Sequence, residues 1–440
     1  MSSVKSRRPV LDAAHPRQAV VQVAEQRLVH DAFAWFRAHE NTLSRWQVEL
    51  TRIPAPPFGE AARAQWLQRH FEDLGLQQVE VDEAGNVTAI RPGTGVQDSF
   101  VALTAHMDTV FPEGTPLEIR REAGKLLGPG ISDNGSGITA LLATAAAMQA
   151  CGLTHALPIV FIANVGEEGE GDLRGMRHIF SSTKWKNSIA YTLIVDGAGT
   201  DTLVTRALGS RRFEVTVRGK GGHSWSDFGE ANPIAILSHA IAEFYKTEIP
   251  ANAKKKSAYN VGVIRGGTSV NSIPESASMR VDLRSESAEE IERLENELRR
   301  CLANSTTSSG TMNSGTKNSG LKPNSASNDQ APGLKSGEPA GSGVVQCDIR
   351  RIGDRPSAEL ATDARILQVL KTVDQHLGIR SRLHCASTDA NIPLSLGREA
   401  ITIGAGGSGG GAHTLNEWFD PVGRDLGLKR ILLALLTLAD

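Results

Sequence analysis

Short apolar runs that end in histidine or acidic side chains constrain the fold of this chain most strongly. Three such runs are Val101–Leu103, Pro158–Asn164 and Tyr191–Val195. Continuous apolar runs of this length are typical of strands buried on both faces of a parallel sheet. The side chains that follow these runs are His106, Asp108, Glu167, Glu168 and Asp196. Because open α/β sheets bind ligands beyond the carboxyl ends of their strands, we expect this set to gather at one edge of a sheet.

His106 and Asp108 lie one residue apart on the loop that follows the first run. Neutral imidazole and carboxylate together suit zinc and similar divalent ions, and a carboxylate can hold a ligand histidine by its second ring nitrogen. We therefore predict that His106 is a metal ligand and that Asp108 orients it. Taken alone, such a pair is more often a plain loop histidine beside a solvated carboxylate, so the prediction depends on further ligands.

Length, charge and cysteine content exclude several classes of protein. A chain of 440 residues predicts two domains, one of them interrupted by the other. The formal net charge of −2 gives no reason to expect nucleic acid or an anionic membrane as a partner. The late apolar run Ile431–Ala439 is far shorter than a membrane span, and the start of the chain lacks the apolar core of an export signal. Four cysteines without a CxxC pair favour buried thiols in a reducing compartment, so we expect a cytoplasmic protein.

The pattern of the chain changes near Ala207 and returns after Arg355-Pro356. The segment between these points begins with an alternating strand at Phe213–Val217 and a helix that starts at Asn232-Pro233. Two further strands, a helix opened by a capping box at Ser287–Glu290 and a last strand complete it. This β-α-β-β-α-β order is that of a ferredoxin-like module. We therefore predict a discontinuous catalytic domain at residues 1–206 and 356–440, with an inserted domain at residues 207–355.

Residues 304–343 interrupt the inserted domain with serine, glycine, asparagine and threonine, and without an aromatic residue. Such a segment has too little apolar surface to offset the entropy of ordering it. We predict that it is a disordered insertion and not a site.

Several candidate ligands follow strands or open helices in the predicted catalytic domain; in chain order they are His106, Asp133, Glu167-Glu168, Asp196 and His413. Two histidines and three carboxylates suit two divalent ions that share a bridging carboxylate and lie about 3.5–4 Å apart. A symmetric pair would use one histidine and one terminal carboxylate per ion, with Asp133 between them. Glu167 is then spare, and we predict that it is the general base that takes a proton from the attacking water and passes it to the leaving amine. Flanking Gly166 and Gly169 permit the turn that gives two adjacent glutamates different roles.

Several motifs together resemble one known family of enzymes. The motifs are Thr104–Val110, Ser132–Gly137, Gly166–Gly169, Val195-Asp196, Thr388–Asn391 and Ala412–Glu417. In this order they resemble the aminoacylase, glutamate carboxypeptidase and peptidase T family of co-catalytic zinc metallopeptidases, and Thr388–Asn391 resembles its peptidase T members. The resemblance implies an α/β fold with a mixed-sheet, phosphorylase/hydrolase-like zinc-peptidase catalytic domain and an inserted ferredoxin-like lid and dimerisation domain. It implies Glu167 as the base, Asp108 as the residue that supports a ligand, and Asp133 as the bridge among five ligands, which are His106, Asp133, Glu168, Asp196 and His413.

The resemblance also implies roles for three residues of the inserted domain. Gly221–Ser224 matches the family's lid motif, whose histidine, here His223, commonly reaches the active site of a neighbouring subunit to stabilise the oxyanion. Asn271 and Arg284 fall where the family often places substrate-binding groups. The implied assembly is a homodimer. The sequence departs from the family pattern at Asn134-Gly135-Ser136, where charged residues are often found, and in the 304–343 insertion.

The resulting hypothesis is a cytoplasmic aminopeptidase with two zinc ions per chain that acts on di- and tripeptides. Cobalt or manganese would suit the mixed nitrogen and oxygen ligands as well. The first alternative is the same chemistry on another amide, as in an N-acyl amino acid deacylase or a carboxypeptidase. The second is a metal-holding or peptide-binding protein without turnover, against which the presence of Glu167 argues, because a binding protein needs no base.

Overall fold

The computed structural model describes residues 16–95, 98–181, 183–250, 254–309 and 345–440. The helices are α1 (Pro16–Ala24), α2 (Arg27–Ala38), α3 (Glu40–Thr51), α4 (Ala61–Asp73), α5 (Gly135–Ala150), α6 (Arg174–Ser181), α7 (Pro233–Phe244), α8 (Ala288–Ser309), α9 (Arg365–Leu377), α10 (Asn391–Ser395) and α11 (Arg424–Ala439). Within these described ranges, no helix is both long enough and apolar enough to cross a membrane.

The strands belong to four sheets. In chain order they are β1 (Gln77–Val81), β2 (Val87–Arg91), β3 (Phe100–His106), β4 (Arg120–Glu122), β5 (Lys125–Leu127), β6 (Ile159–Asn164), β7 (Ile189–Val195), β8 (Thr202–Ala207), β9 (Gly209–Arg218), β10 (Gly222–His223), β11 (Ser257–Gly266), β12 (Ser272–Ile273), β13 (Ser276–Ser285), β14 (Gln346–Arg355), β15 (Ala358–Glu359), β16 (Arg382–Ala386), β17 (Glu399–Ile403), β18 (Ser408–Gly410) and β19 (Trp418–Asp420).

The chain divides into two units, the first ending at Gly209 and resuming at Arg355, the second running from Ser210 to Asp354. A nine-stranded sheet of order β1-β2-β6-β3-β7-β17-β8-β15, with β16 also paired to β8, forms the centre of the first unit. The central strands β6, β3, β7 and β17 run parallel, whereas β1, β2 and β8 pair antiparallel with their neighbours in this order. The sheet is therefore mixed, and the prediction of an α/β fold with a mixed sheet is confirmed.

Helix α5 packs closely against this sheet. Residues from Gly135 to Met148 are all buried. A Cβ atom at Gly137 would lie 2.6 Å from the carbonyl oxygen of Val195 at the end of β7, so only glycine fits there. The first turn of α5 is thus held at the carboxyl end of the central strands, where Asp133 and Asp196 both lie.

The second unit combines two helices with a four-stranded sheet of order β11-β13-β9-β14. Helices α7 and α8 contribute apolar side chains, such as Leu237 and Leu298, to a core shared with Phe213 and Leu283 of the sheet. Its elements follow the β-α-β-β-α-β order of a ferredoxin-like module. The short strands β10 and β12 pair outside that sheet.

One part of the predicted insertion is helical. The prediction was wrong for residues 304–309, because α8 continues to Ser309. Hydroxyl groups on this last stretch bond to carbonyls one turn back, Ser305 to Cys301 at 2.8 Å and Thr307 to Ala303 at 2.8 Å. Ser305 is also buried and lies 3.1 Å from the His239 ring. Tertiary burial of this face extends the helix beyond what composition indicated, and the rest of the predicted insertion, residues 310–343, lies outside the described residues.

Candidate metal centre

The five candidate ligands all lie in the first unit, at the end of a strand or on a connection between two elements. His106 ends β3, Glu168 and Asp196 follow β6 and β7, Asp133 precedes α5, and His413 lies between β18 and β19. His413 adopts a φ of 65°, a left-handed conformation that costs a non-glycine residue roughly 1–3 kcal/mol and persists only where the surroundings impose it. The fold thus gathers side chains that are up to 307 positions apart in sequence, from residue 106 to residue 413.

Two groups of three ligands share Asp133. In the first, here called the His106 site, His106 Nε2 lies 3.2 Å from Asp133 Oδ1 and 3.5 Å from Asp196 Oδ1. In the second, the His413 site, His413 Nε2 lies 3.2 Å from Asp133 Oδ2 and 3.1 Å from Glu168 Oε1. Each oxygen of Asp133 therefore faces a different histidine.

The donor atoms of each group fit a divalent ion. One atom from each residue of a group lies within 4.8 Å of the others, and both groups mix imidazole nitrogen with carboxylate oxygen. Asp133 Oδ1 is buried and has no hydrogen-bond partner within the part of the chain that the structure describes, although His106 Nε2 is near it. A third group joins His106 to Glu167 and Glu168, so Glu167 also lies within reach of an ion.

The concentration of carboxylates shifts the pKa values of both histidines upward. Burial by itself would lower the pKa of His106, but Asp108, Asp133 and Asp196 raise it well above its usual range. Asp133 and Glu168 raise the pKa of His413 to about 10. Burial by itself would raise the pKa of Asp133, whereas the two imidazoles hold it well below its usual range. The carboxylates of the ligand cluster therefore stabilise positive charge at both imidazoles, as they would stabilise a bound cation.

Asp108 connects the histidine loop to the glutamate pair. Its backbone carbonyl lies 3.1 Å from His106 Nδ1, and its carboxylate oxygen is farther away, at 3.6 Å. The carboxylate instead accepts the backbone N–H groups of Glu167 at 3.0 Å and Glu168 at 2.8 Å. The Asp108 carbonyl thus lies closer to the His106 ring than its carboxylate does, and the carboxylate fixes the turn that holds the two glutamates.

Glu167 points away from this turn toward a buried arginine that the sequence analysis missed. Arg355 Nη1 donates to Glu167 Oε1 at 2.8 Å and to Ser387 Oγ at 3.1 Å, and a second N–H donates to the Glu167 carbonyl. Burial raises the pKa of Glu167 well above its usual range, and the Arg355 guanidinium opposes that shift. In the sequence, Arg355 appeared only as part of the domain boundary, and no local pattern distinguished it.

A model of peptidase family M20/M25/M40 matches residues 102–436 of the chain. The chain belongs to this family. The resemblance inferred from the sequence motifs is confirmed by this match, and with it the class of hydrolytic metallopeptidases.

Proteins similar to this chain include a probable carboxypeptidase, an aminopeptidase and a tripeptidase. A probable carboxypeptidase from Ajellomyces capsulatus is 28% identical in an alignment of 274 residues that covers 57% of this chain and 62% of that protein. The chain thus spans less than two thirds of the length of this curated relative. The solved aminopeptidase PepT from Bacillus cereus has a TM-score of 0.68 at 19% identity, covering 91% of this chain and 99% of the other. A solved tripeptidase from Staphylococcus aureus has a TM-score of 0.68 at 18% identity, covering 91% and 98%.

The peptidase T-like segment Thr388–Asn391 of this M20-family chain is buried. Asp389 accepts a hydrogen bond of 2.7 Å from Asn164 Nδ2, and burial raises the pKa of Asp389 to about 7. Asn391 Nδ2 donates to the carbonyls of Leu208 and Pro356, each at 2.9 Å. Asn391 therefore holds together the two chain segments between which the second unit is inserted.

The three residues predicted from the inserted domain lie in the second unit. His223 is exposed, and its Nδ1 accepts the backbone N–H of Trp225 at 3.2 Å. Asn271 Oδ1 accepts the Ser269 hydroxyl at 2.6 Å, and Arg284 Nε donates to an Asp282 oxygen at 2.7 Å. Their roles in catalysis and substrate binding stay predictions.

Proposed function

We propose that this chain is a two-metal hydrolase of amide bonds in small peptides. The observation that supports it most is the position of Asp133, whose two oxygens each face a different histidine at 3.2 Å. Such an arrangement allows one carboxylate to bridge two ions, each bound by a different oxygen. The residues that would hold the ions are His106, Asp133, Glu168, Asp196 and His413.

Different residues of the chain have different roles in the proposed hydrolysis. Divalent ions held by these ligands would supply polarisation of the substrate carbonyl and a lowered pKa of bound water. Glu167 accepts the proton of the attacking water and returns it to the leaving amine. Asp108 fixes the backbone of Glu167, and Arg355 holds its carboxylate, so the base has one orientation.

We further propose an aminopeptidase acting on di- and tripeptides. Two observations support this substrate class: the Thr388–Asn391 segment, and the similarity of the fold to an aminopeptidase and a tripeptidase. A carboxypeptidase or N-acyl amino acid deacylase is the second candidate, because the similar curated proteins include a probable carboxypeptidase. The proposal includes zinc as the native ion, a homodimer in which His223 completes the partner's site, substrate contacts by Asn271 and Arg284, and a cytoplasmic location.

Metal content and a small set of blocked peptides test the proposal. Protein purified without chelator should contain about two zinc ions per chain by elemental analysis. It should release the first residue of a free tripeptide and of its carboxyl-terminal amide, but not of its N-acetyl form. Release of the last residue from the free and N-acetyl forms but not from the amide would favour a carboxypeptidase, and removal of the acetyl group would favour a deacylase. Activity that survives complete metal removal would contradict both.

A further inference from the structure

Glu417 holds the chain segment that leads into the shared aspartate. Its side chain is fully buried, and its carboxylate accepts the backbone N–H groups of Gly130 at 2.8 Å, Ser132 at 2.7 Å and Asp133 at 2.7 Å. Its own carbonyl accepts a fourth bond, from the N–H of Gly128 at 2.8 Å. One residue therefore fixes the backbone path of this segment.

Glu417 is joined to His413 by two consecutive turns. The Thr414 N–H donates to the Gly411 carbonyl at 3.1 Å, and the Glu417 N–H donates to the Thr414 carbonyl at 3.2 Å. The Thr414 hydroxyl adds a bond of 2.7 Å to the same Gly411 carbonyl. Because this stretch is short and bonded within itself, Glu417 couples the position of His413 to the backbone of Asp133.

Asn134 makes the corresponding connection on the other side of Asp133. Its Nδ2 donates to the Val195 carbonyl at 2.9 Å, and its Oδ1 accepts the Gly197 N–H at 3.2 Å. These two partners are the residues immediately before and after the candidate ligand Asp196. Asn134 is itself 1% exposed, so water does not compete for these bonds. Asn134 therefore couples the backbone of Asp133 to that of Asp196.

We propose that Glu417 and Asn134 are positioning residues that set the two ion sites separately, Glu417 for the His413 site and Asn134 for the His106 site. The inference rests on the proposed function, because it requires two ions that share Asp133. A shared carboxylate must present each oxygen at the right distance to a different ion, so its backbone needs support from both sides. Residues that orient metal ligands change metal affinity by about 10- to 100-fold when they are replaced.

Two substitutions remove one connection each. Glu417→Gln keeps the size of the side chain but turns an N–H donor toward the Gly130 N–H. Asn134→Ser keeps an oxygen that can cap α5, as Asn134 does through the Gly137 N–H at 3.0 Å, but cannot reach Val195 and Gly197. In calorimetric titrations of metal-free protein with Zn²⁺, we expect each variant to bind one ion with normal affinity and the other about 10- to 100-fold more weakly.

Variants that retain only one of the two ion sites allow the effects of Glu417 and Asn134 on each site to be measured separately. In the His413→Ala protein, only the His106 site remains complete. Adding Glu417→Gln should leave that remaining affinity unchanged, whereas adding Asn134→Ser should lower it. The His106→Ala protein should show the opposite pattern.

Asp374→Asn is the matched control, because Asp374 is a buried carboxylate whose partners, Arg430 and Ser381, lie outside the ligand cluster. This variant should lose stability and keep both affinities.

If Glu417→Gln does not fold, Glu417→Asp replaces it, and the same ion should bind more weakly. Equal weakening of both ions, no weakening, or weakening by Glu417→Gln in the His413→Ala protein would overturn the inference. A natural protein that binds fewer than two ions would overturn the proposed function instead.

Discussion

Arg355 and Glu167 form a buried ion pair in which Nη1 lies 2.8 Å from Oε1 and each side chain is 7% exposed. Burial raises the pKa of Glu167, and the guanidinium lowers it. A second Arg355 N–H also holds the Glu167 carbonyl, so the arginine fixes the position of the proposed base. The guanidinium therefore opposes the effect of burial and favours the ionised form of Glu167, which is the form that can accept a proton.

Replacement of Arg355 should reduce the activity of the base. In Arg355→Met, Glu167 is left buried without its cation, so its pKa should rise and the acidic limb of the kcat profile should move to higher pH. We expect kcat near neutral pH to fall about 100-fold, within the usual range of general-base catalysis. Arg355→Lys keeps the charge but not the paired N–H groups, and its loss should be smaller. An acidic limb that does not move in Arg355→Met would contradict this role.

Glu167→Gln should separate catalysis from metal binding. Removing the base should lower kcat by about 10²- to 10⁴-fold and leave the metal content measured by elemental analysis nearly unchanged. Glu170→Gln is the control, because Glu170 is an exposed glutamate three positions away and should tolerate the change. Because Glu167 also groups with His106 and Glu168, loss of an ion in Glu167→Gln would reassign it as a ligand.

The sequence was informative where structure and chemistry are local. Runs such as Pro158–Asn164 predicted the buried strands of a mixed sheet, and side chains at the ends of these runs predicted where the candidate ligands gather. It was less informative where the decisive contact is distant. Arg355 and Glu167 are 188 positions apart, and no periodicity relates them. Likewise, the burial of Ser305 against His239 extends α8 into a segment whose composition predicted disorder.

The stability of the metal-free protein should fall as the pH rises above neutrality. The folded protein raises the pKa of His413 to about 10 and that of His106 well above its usual range, whereas the unfolded chain releases these protons near pH 6.5. The stabilising contribution is thus fully present below about pH 6.5 and is lost as the pH rises through the folded-state values. Burial raises the pKa values of Asp389 and Glu417 to about 7. The folded protein therefore holds these protons more tightly than the unfolded chain does, and this contribution to stability is also lost as the pH rises toward 7.

Bound ions should reverse this dependence, because they compete with protons for the same imidazole nitrogens. The difference in Tm between zinc-loaded and metal-free protein should therefore widen from about pH 6 to about pH 9. Thermal unfolding with zinc and with chelator across this range checks the expectation. The metal-free His413→Ala protein should show a shallower dependence than the natural chain, and a Tm difference independent of pH would exclude these histidines as ligands.

A second buried ion pair allows stability to be changed without changing the candidate site. Arg430 of α11 is fully buried and donates to both oxygens of Asp374 of α9, at 2.7 and 2.8 Å. Arg430→Met leaves the Asp374 carboxylate buried and unpaired, so the free energy of unfolding in urea should fall by about 3–5 kcal/mol. The double variant Arg430→Met/Asp374→Asn should lose less than the sum of the two single losses, since the unpaired charge is removed as well. Both proteins should keep the natural kcat/KM per folded molecule, and a change in that ratio would show that the α9–α11 contact supports the ligand loops.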